Sequence, residues 1–353
     1  MTWFALSLVL LGQAPAVATA PASAPARPLD IYFVDVMGGA ATLVVTPEGE
    51  SVLIDTGWPG EGDRDPKRIE AVVRDEAKLD RVDHLVTTHW HVDHFGGVAG
   101  LAKRLPIGRF WDRGLPDPNE PNGDKARFPE GPGPDDPMGM AYRAASAGKR
   151  AALKAGDRLP LKGATEAVVL AASGTVVDDP AAPANPRAGE APPDQRPDPS
   201  DNARSVVLRF KLGRFTFLDC GDLTWNVEKQ LVAPRDLIGP VDLYQVTHHG
   251  MDISNNPLLL ATIAPTVAVM DNAPRKGGAP ATVRRLRALP SLQAAYQLHR
   301  NASPAPDANT DPALIANPPG TQGQFIHASF PPGSPTFTVQ IGPDGPKREF
   351  PLH

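Results

Sequence analysis

Three histidines and a carboxylate fall within six residues of the run Thr88-His89-Trp90-His91-Val92-Asp93-His94-Phe95-Gly96-Gly97. The run follows Leu85-Val86-Thr87, an apolar stretch that reads as the end of a strand. Side chains alternate faces along extended backbone, so His89 and His91 point the same way and can grip one cation. After Val92 the chain is expected to turn into a helix over 96–105, which aims Asp93 and His94 at a second position. Imidazole and carboxylate suit borderline cations such as zinc, and neighbouring imidazoles without a metal repel once protonated. Any one of these histidines could be an ordinary loop residue. Four such groups in one turn predict two adjacent divalent cations.

A cluster of this kind needs a folded scaffold. With 353 residues, 41% of them hydrophobic, the chain can bury a substantial core in one large domain or two small ones. Its 41 prolines and 32 glycines concentrate in a few loops. Two stretches, 112–137 and 177–199, read as Pro-rich insertions. The first has Phe128 as its one large apolar anchor and is either a flap over the metal mouth or a plain insertion. The second lacks periodic apolar residues and is expected to be exposed. A net charge of −5 offers no phosphate-binding footprint, so nucleic acid enters as a substrate at most. Cys220 is the one cysteine, which excludes an intramolecular disulfide.

Residues 1–18 read as a signal peptide. The apolar run from Phe4 to Leu11 is too short to cross a bilayer and leads to small residues, with Ala16-Val17-Ala18 as the cleavage site. An uncleaved N-terminal anchor is the alternative. Residues 19–28 form an Ala/Pro-rich linker expected to be disordered. The expectation is an exported protein, periplasmic or extracellular, with a domain over 29–353 and no stable membrane span after cleavage.

Within that domain, short apolar runs at 29–36, 41–45 and 51–54 are separated by turn residues and predict an antiparallel meander. A helix is expected over 66–78, then the ligand-bearing strand 82–87, a strand at 108–111 and a helix over 138–153. Runs at 206–210 and 215–219 predict a hairpin, followed by strands at 241–247, 266–270 and 294–298 and a basic helix over 282–289. The runs 324–330, 336–341 and 348–352 close the chain as a hairpin or meander. His84 reads as a packed or surface histidine, and His327 and His353 as ordinary surface residues.

His89-x-His91-x-Asp93-His94, after a strand ending in Thr and before Gly-Gly, resembles the signature of the metallo-β-lactamase superfamily. The resemblance implies an α/β (α+β) fold, a four-layer αβ/βα sandwich of two mixed β-sheets flanked by helices. It also implies a hydrolase with two divalent ions, zinc first. Asp55-Thr56-Gly57 matches a second element of that pattern and makes Asp55 a carboxylate that steadies the ligand turn. Gly221-Asp222 implies Asp222 as the bridging carboxylate, one oxygen for each cation. His248-His249-Gly250 implies His248 as the late ligand of the second cation, with His249 a catalytic group that orients or contacts substrate. Asp93 would both ligate and receive the proton of the attacking water. Asp219 is expected to face elsewhere.

Many members of the superfamily carry a further histidine before the bridging carboxylate, yet none occurs from Phe95 to Gly221. With Asn202-Ala203-Arg204-Ser205, this departure resembles the hydrolase domain of DNA-uptake competence proteins of the ComEC type, over roughly 29–273. The resemblance implies that Asn202 and Ser205 fill the vacant vertex, directly or through water, and that manganese is tolerated. A phosphodiester, small or polymeric, is the implied substrate, because two cations can clamp the attacking and leaving oxygens in line. A lactone, thioester or amide hydrolase is the alternative, with β-lactams disfavoured by the missing histidine. A secreted binding protein without catalysis is a further alternative.

Overall fold

The computed structural model describes residues 1–3, 27–117, 127–305 and 307–353. The cleavage site Ala16-Val17-Ala18 and most of 1–18 and 19–28 lie outside the described residues. Among the described residues no helix is long and apolar enough to cross a membrane.

Two mixed sheets face each other. The first takes β1 (Leu29–Phe33), β2 (Thr42–Val45), β3 (Ser51–Ile54), β4 (Val82–Thr87), β5 (Ile107–Asp112) and β6 (Arg150–Ala152). The second takes β7 (Glu166–Ala172), β8 (Thr175–Val176), β9 (Val207–Leu212), β10 (Phe215–Asp219), β11 (Leu243–Gln245), β12 (Val267–Met270), β13 (Ala294–His299) and β14 (Ile315–Asn317). The chain then returns to the first sheet with β15 (Ile326–Phe330), β16 (Thr336–Ile341) and β17 (Arg348–Pro351), β15 pairing with β1. The orders are β17-β16-β15-β1-β2-β3-β4-β5-β6 and β14-β13-β12-β11-β10-β9-β7-β8.

The expected meander is present, since β1, β2 and β3 pair antiparallel. From β3 to β6 the pairing is parallel, as it is from β10 to β14. Parallel neighbours need crossovers, and helices supply them on the outer faces. Helices α1 (Arg64–Ala71), α2 (Val92–Phe95), α3 (Val98–Ala102) and α4 (Pro137–Ser146) lie in the first half of the chain; α5 (Trp225–Gln230), α6 (Pro257–Ile263) and α7 (Pro280–Arg287) lie in the second. The inner core joins Ile31, Val44 and Val86 of one sheet to Phe210, Val269 and Leu298 of the other. Phe33 meets Phe217 edge-on at 5.9 Å, and Phe215 stacks on Phe330 at 4.9 Å, so aromatic pairs bridge the two sheets. Separate apolar clusters join Ile69, Leu101 and Tyr142 to the outer face of the first sheet, and Leu259, Val283 and Leu286 to that of the second. The result is the four-layer sandwich of two mixed sheets flanked by helices.

Three local expectations change. The helix expected over 138–153 stops at Ser146; Gly148 takes φ 72°, a left-handed turn, and the chain re-enters the sheet as β6. Of the helix expected over 96–105 only α3, Val98–Ala102, forms; a separate short helix, α2, precedes it, with Gly96 and Gly97 between them. At Gly97 a Cβ would stand 2.1 Å from the Thr56 carbonyl oxygen, so only glycine allows that approach. The helix expected over 66–78 is α1, continued by a π-helical turn over Val72–Glu76. His327 is partly buried, stacked on Tyr32 at 4.2 Å with Nε2 2.8 Å from Asp30.

Candidate metal centre

The carboxyl ends of the parallel strands converge on one edge of the sandwich, where such sheets present ligands. Asp55 follows β3, the histidine run follows β4, Asp222 follows β10, His248 and His249 follow β11, and Asp271 follows β12. Backbone bonds tie the early turns together. Thr56 donates its N–H to the His94 carbonyl oxygen at 2.7 Å, and Thr88 donates its own to Asp55 Oδ1 at 2.8 Å. Gly221, at φ 52°, makes the turn into Asp222; a Cβ there would sit 3.0 Å from Thr88 Cβ and 3.2 Å from Ser205 Cβ.

The structure gathers His89, His91 and Asp222 into one group, and Asp93, His94, Asp222 and His249 into another. In the second group His94 Nε2 and His249 Nε2 lie 3.2 and 3.3 Å from Asp222 Oδ2 and 3.3 Å from each other. Asp93 Oδ2 lies 3.2 Å from His249 Nε2 and 3.5 Å from His94 Nε2. Two ligands of one tetrahedral zinc, with bonds of about 2.0–2.1 Å, stand roughly 3.4 Å apart, so these spacings fit a cation. His89 Nε2, 3.9 Å from Asp222 Oδ2, is buried without a hydrogen-bond partner. A polar atom so placed normally finds one, and a cation provides it.

Two placements differ from the sequence expectation. His249, not His248, closes the second group. Both residues take left-handed backbone, φ 56° and 52°, so the alternation that would separate their faces along a strand does not apply. His89 of the first group and His94 and His249 of the second also approach the same oxygen, Asp222 Oδ2, where one oxygen for each cation was expected.

The remaining predicted residues surround these groups. Asp55 Oδ2 lies 2.6 Å from His94 Nδ1 and accepts the Thr88 hydroxyl at 2.6 Å, which orients the His94 ring. Ser205 Oγ accepts the Asp222 backbone N–H at 3.2 Å. Asn202 Nδ2 lies 3.4 Å from His248 Nε2, and its Oδ1 is buried and unpartnered. Asp219 belongs to neither group and accepts the Gly221 N–H at 2.8 Å; burial lifts its carboxyl to about 8. Cys220 is buried and free.

Four contributors had no motif to reveal them. Asp271 Oδ1 stands 3.3 Å from His249 Nδ1, within ion-pair range though not aligned as a hydrogen bond. Lys276 donates from Nζ to Asp93 Oδ2 and packs 4.9 Å over the Trp58 ring. Glu130, from the first insertion, lies 2.6 Å from His91 Nε2 and accepts the Asp201 N–H at 2.9 Å. Asp201 in turn accepts Trp90 N–H and pairs with buried Arg113.

Charge in this pocket is divided. Burial raises the Asp222 carboxyl, but His249, His94 and His248 outweigh it and hold the group well below the usual carboxylate range. Asp93 is held low in the same way by His94, His249 and Lys276. Burial lowers His94, yet Asp222, Asp93 and Asp55 lift it to about 10. His249 rises well above its ordinary value through Asp222 and Asp271 against its burial. His89 and His248 are lowered, chiefly by burial.

Because Asp271 backs His249, Asp271→Asn is expected to weaken the second cation about 10- to 100-fold in calorimetric titration. Unchanged affinity would remove Asp271 from the centre.

Residues 34–201 match the family model of the metallo-β-lactamase superfamily. A metal-dependent hydrolase of Herpetosiphon aurantiacus is 35% identical over 68 residues, 19% of this chain and 25% of that protein. CmlA, a diiron β-hydroxylase from Streptomyces venezuelae, has 17% identity and a TM-score of 0.39 over 70% of this chain and 45% of its own. A Cronobacter sakazakii metallo-β-lactamase motif mutant has 15% identity and a TM-score of 0.33 over 58% of this chain and 70% of its own. The chain thus spans a quarter of the curated relative and under half of CmlA. The matched stretch, just under half of the chain, carries the His89-to-His94 signature and is similar to the metallo-β-lactamase superfamily, and the two-sheet sandwich around it is the fold that this similarity implies.

Proposed function

We propose that this chain is an exported hydrolase with two divalent ions, zinc or alternatively manganese, acting on phosphodiesters. The observation that carries the reading is the meeting of two ligand groups on Asp222 Oδ2, beside the Lys276 ammonium. His89, His91 and Asp222 would hold one ion; Asp93, His94, Asp222 and His249 would hold the other. Bound there, the pair would lower the pKa of a water from about 15.7 toward 7 and offset charge on substrate oxygens. Asp93, kept ionised by its neighbours, accepts a hydrogen bond from the attacking water and orients it. Lys276, steadied on Trp58, offers its charge to a non-bridging phosphate oxygen. Export is inferred from the N-terminal pattern alone. DNA is proposed only as a substrate, because the chain's charge of −5 does not favour tight duplex binding.

A hydrolysis panel tests the substrate class: bis-p-nitrophenyl phosphate and linear DNA against nitrocefin and a homoserine lactone. Metal-dependent phosphodiester cleavage is expected. Lys276→Ala should lower kcat/KM for bis-p-nitrophenyl phosphate about 10- to 100-fold, the worth of one charged hydrogen bond. Lactone or nitrocefin turnover without phosphodiester cleavage would replace this reading.

A further inference from the structure

The first cation position has only two imidazoles, His89 and His91, in its group. The chain between Phe95 and Gly221 contains no third. His248 stands outside both groups but reaches the carboxylate that they share. Its Nε2 lies 3.5 Å from Asp222 Oδ2, closer than the 3.9 Å from His89 Nε2 to the same oxygen. That separation matches the roughly 3.4 Å expected between two ligands of one tetrahedral ion.

The hydrogen bonds around His248 decide which nitrogen carries its proton. Ser254 Oγ donates to the Leu223 carbonyl oxygen at 2.7 Å, and His248 Nδ1 lies 3.1 Å from the same Oγ. A hydroxyl has one proton, already committed to the carbonyl, so Nδ1–H must be the donor and Nε2 carries the lone pair. That lone pair faces a carboxylate oxygen in a buried pocket. Among the described residues its one donor there is the Asn202 amide Nδ2 at a long 3.4 Å, a contact that a cation shared with the carboxylate would replace. Asn202 is the competing group, since its buried Oδ1 is also unpartnered, but it turns its amide Nδ2 toward His248, 3.4 Å away. Backbone geometry serves the placement: His248 is left-handed, and its N–H donates to the Gly221 carbonyl at 3.0 Å, fixing it beside the Asp222 turn.

We infer that His248 is the third imidazole of the first cation position, with His89, His91 and Asp222, in place of the histidine missing from the middle of the chain. Asn202 then supports His248 and does not ligate. The inference rests on the two-ion reading above.

Cobalt(II) titration of the metal-free full chain, followed by visible d–d absorption and by calorimetry, tests it. Wild-type protein should bind two ions. His248→Asn, which tolerates left-handed backbone, should weaken one ion about 10- to 100-fold or more and change the d–d bands while the other ion stays. Ser254→Ala, which frees Nδ1, should weaken the same ion several-fold, so the inference stays testable if His248→Asn folds poorly by circular dichroism. Asn202→Ala should change either affinity less than about threefold. Two-ion binding unchanged by His248→Asn or Ser254→Ala, or lost through Asn202→Ala alone, overturns the assignment of His248 and leaves the two-ion reading standing. Fewer than two ions on the wild type overturns both.

Discussion

Asp222→Ala is expected to release both ions and abolish hydrolysis, with a loss in kcat on the order of 10³-fold or more, about 4 kcal/mol of barrier. The reason is geometric. One oxygen, Asp222 Oδ2, stands within 3.2–3.9 Å of the Nε2 atoms of His94, His249, His248 and His89. Those nitrogens come from the turn after β4 in one sheet and the turn after β11 in the other, so the carboxylate joins the two halves of the centre. Its removal also leaves His94 and His249 without their largest source of negative charge. The turn itself should survive, because Ser205 holds the Asp222 backbone N–H and not the side chain. Elemental analysis after gel filtration reads the result directly. A variant that kept two ions would show that the groups do not share this residue.

The parts of the centre that were legible in the sequence are those whose geometry is local. His89 to His94 sit in one turn, and their division between two positions follows from a strand ending and a helix beginning. Asp55-Thr56-Gly57 and Gly221-Asp222 are turn motifs read beside that cluster. The two-sheet order was legible through resemblance and through the separated apolar runs. What failed depended on backbone angles or distant contacts. His248 and His249 are neighbours whose roles hinge on two consecutive left-handed residues, and no residue pattern announces those except the following Gly250. The break after Ser146 hinges on one glycine, Gly148, inside an otherwise helical composition. Lys276, Asp271 and Glu130 reach the centre from loops with no motif of their own. The strand contacts that bring Asp271 to His249 exist only once β11 and β12 are paired.

Loading the centre is expected to expel protons, so that cation affinity climbs as pH rises. His94, lifted to about 10, and His249, also raised, both carry protons at neutral pH before a cation arrives, whereas His89 and His248 are already neutral. A ligand nitrogen must give up its proton to bind, so filling the second group displaces one from each of His94 and His249. For the metal-free fold the linkage runs the other way. A histidine whose folded pKa is raised contributes stability that is complete below its ordinary 6.5 and is lost as pH climbs toward the folded value near 10. His89 and His248, lowered, oppose folding only below 6.5, while Asp93 and Asp222, lowered, contribute above 3.8 and are lost only toward more acid pH. Between pH 6.5 and 9 the raised histidines therefore dominate, and the metal-free protein should lose thermal stability over that interval. The metal-loaded protein should hold or gain it, because tighter binding stabilises the fold by mass action. Titration calorimetry at pH 7 in two buffers of different ionisation heat should show release of more than one proton per chain. Identical heats in both buffers would mean that His94 and His249 are neutral before the cations bind, and that their carboxylate neighbours do not hold charge on them.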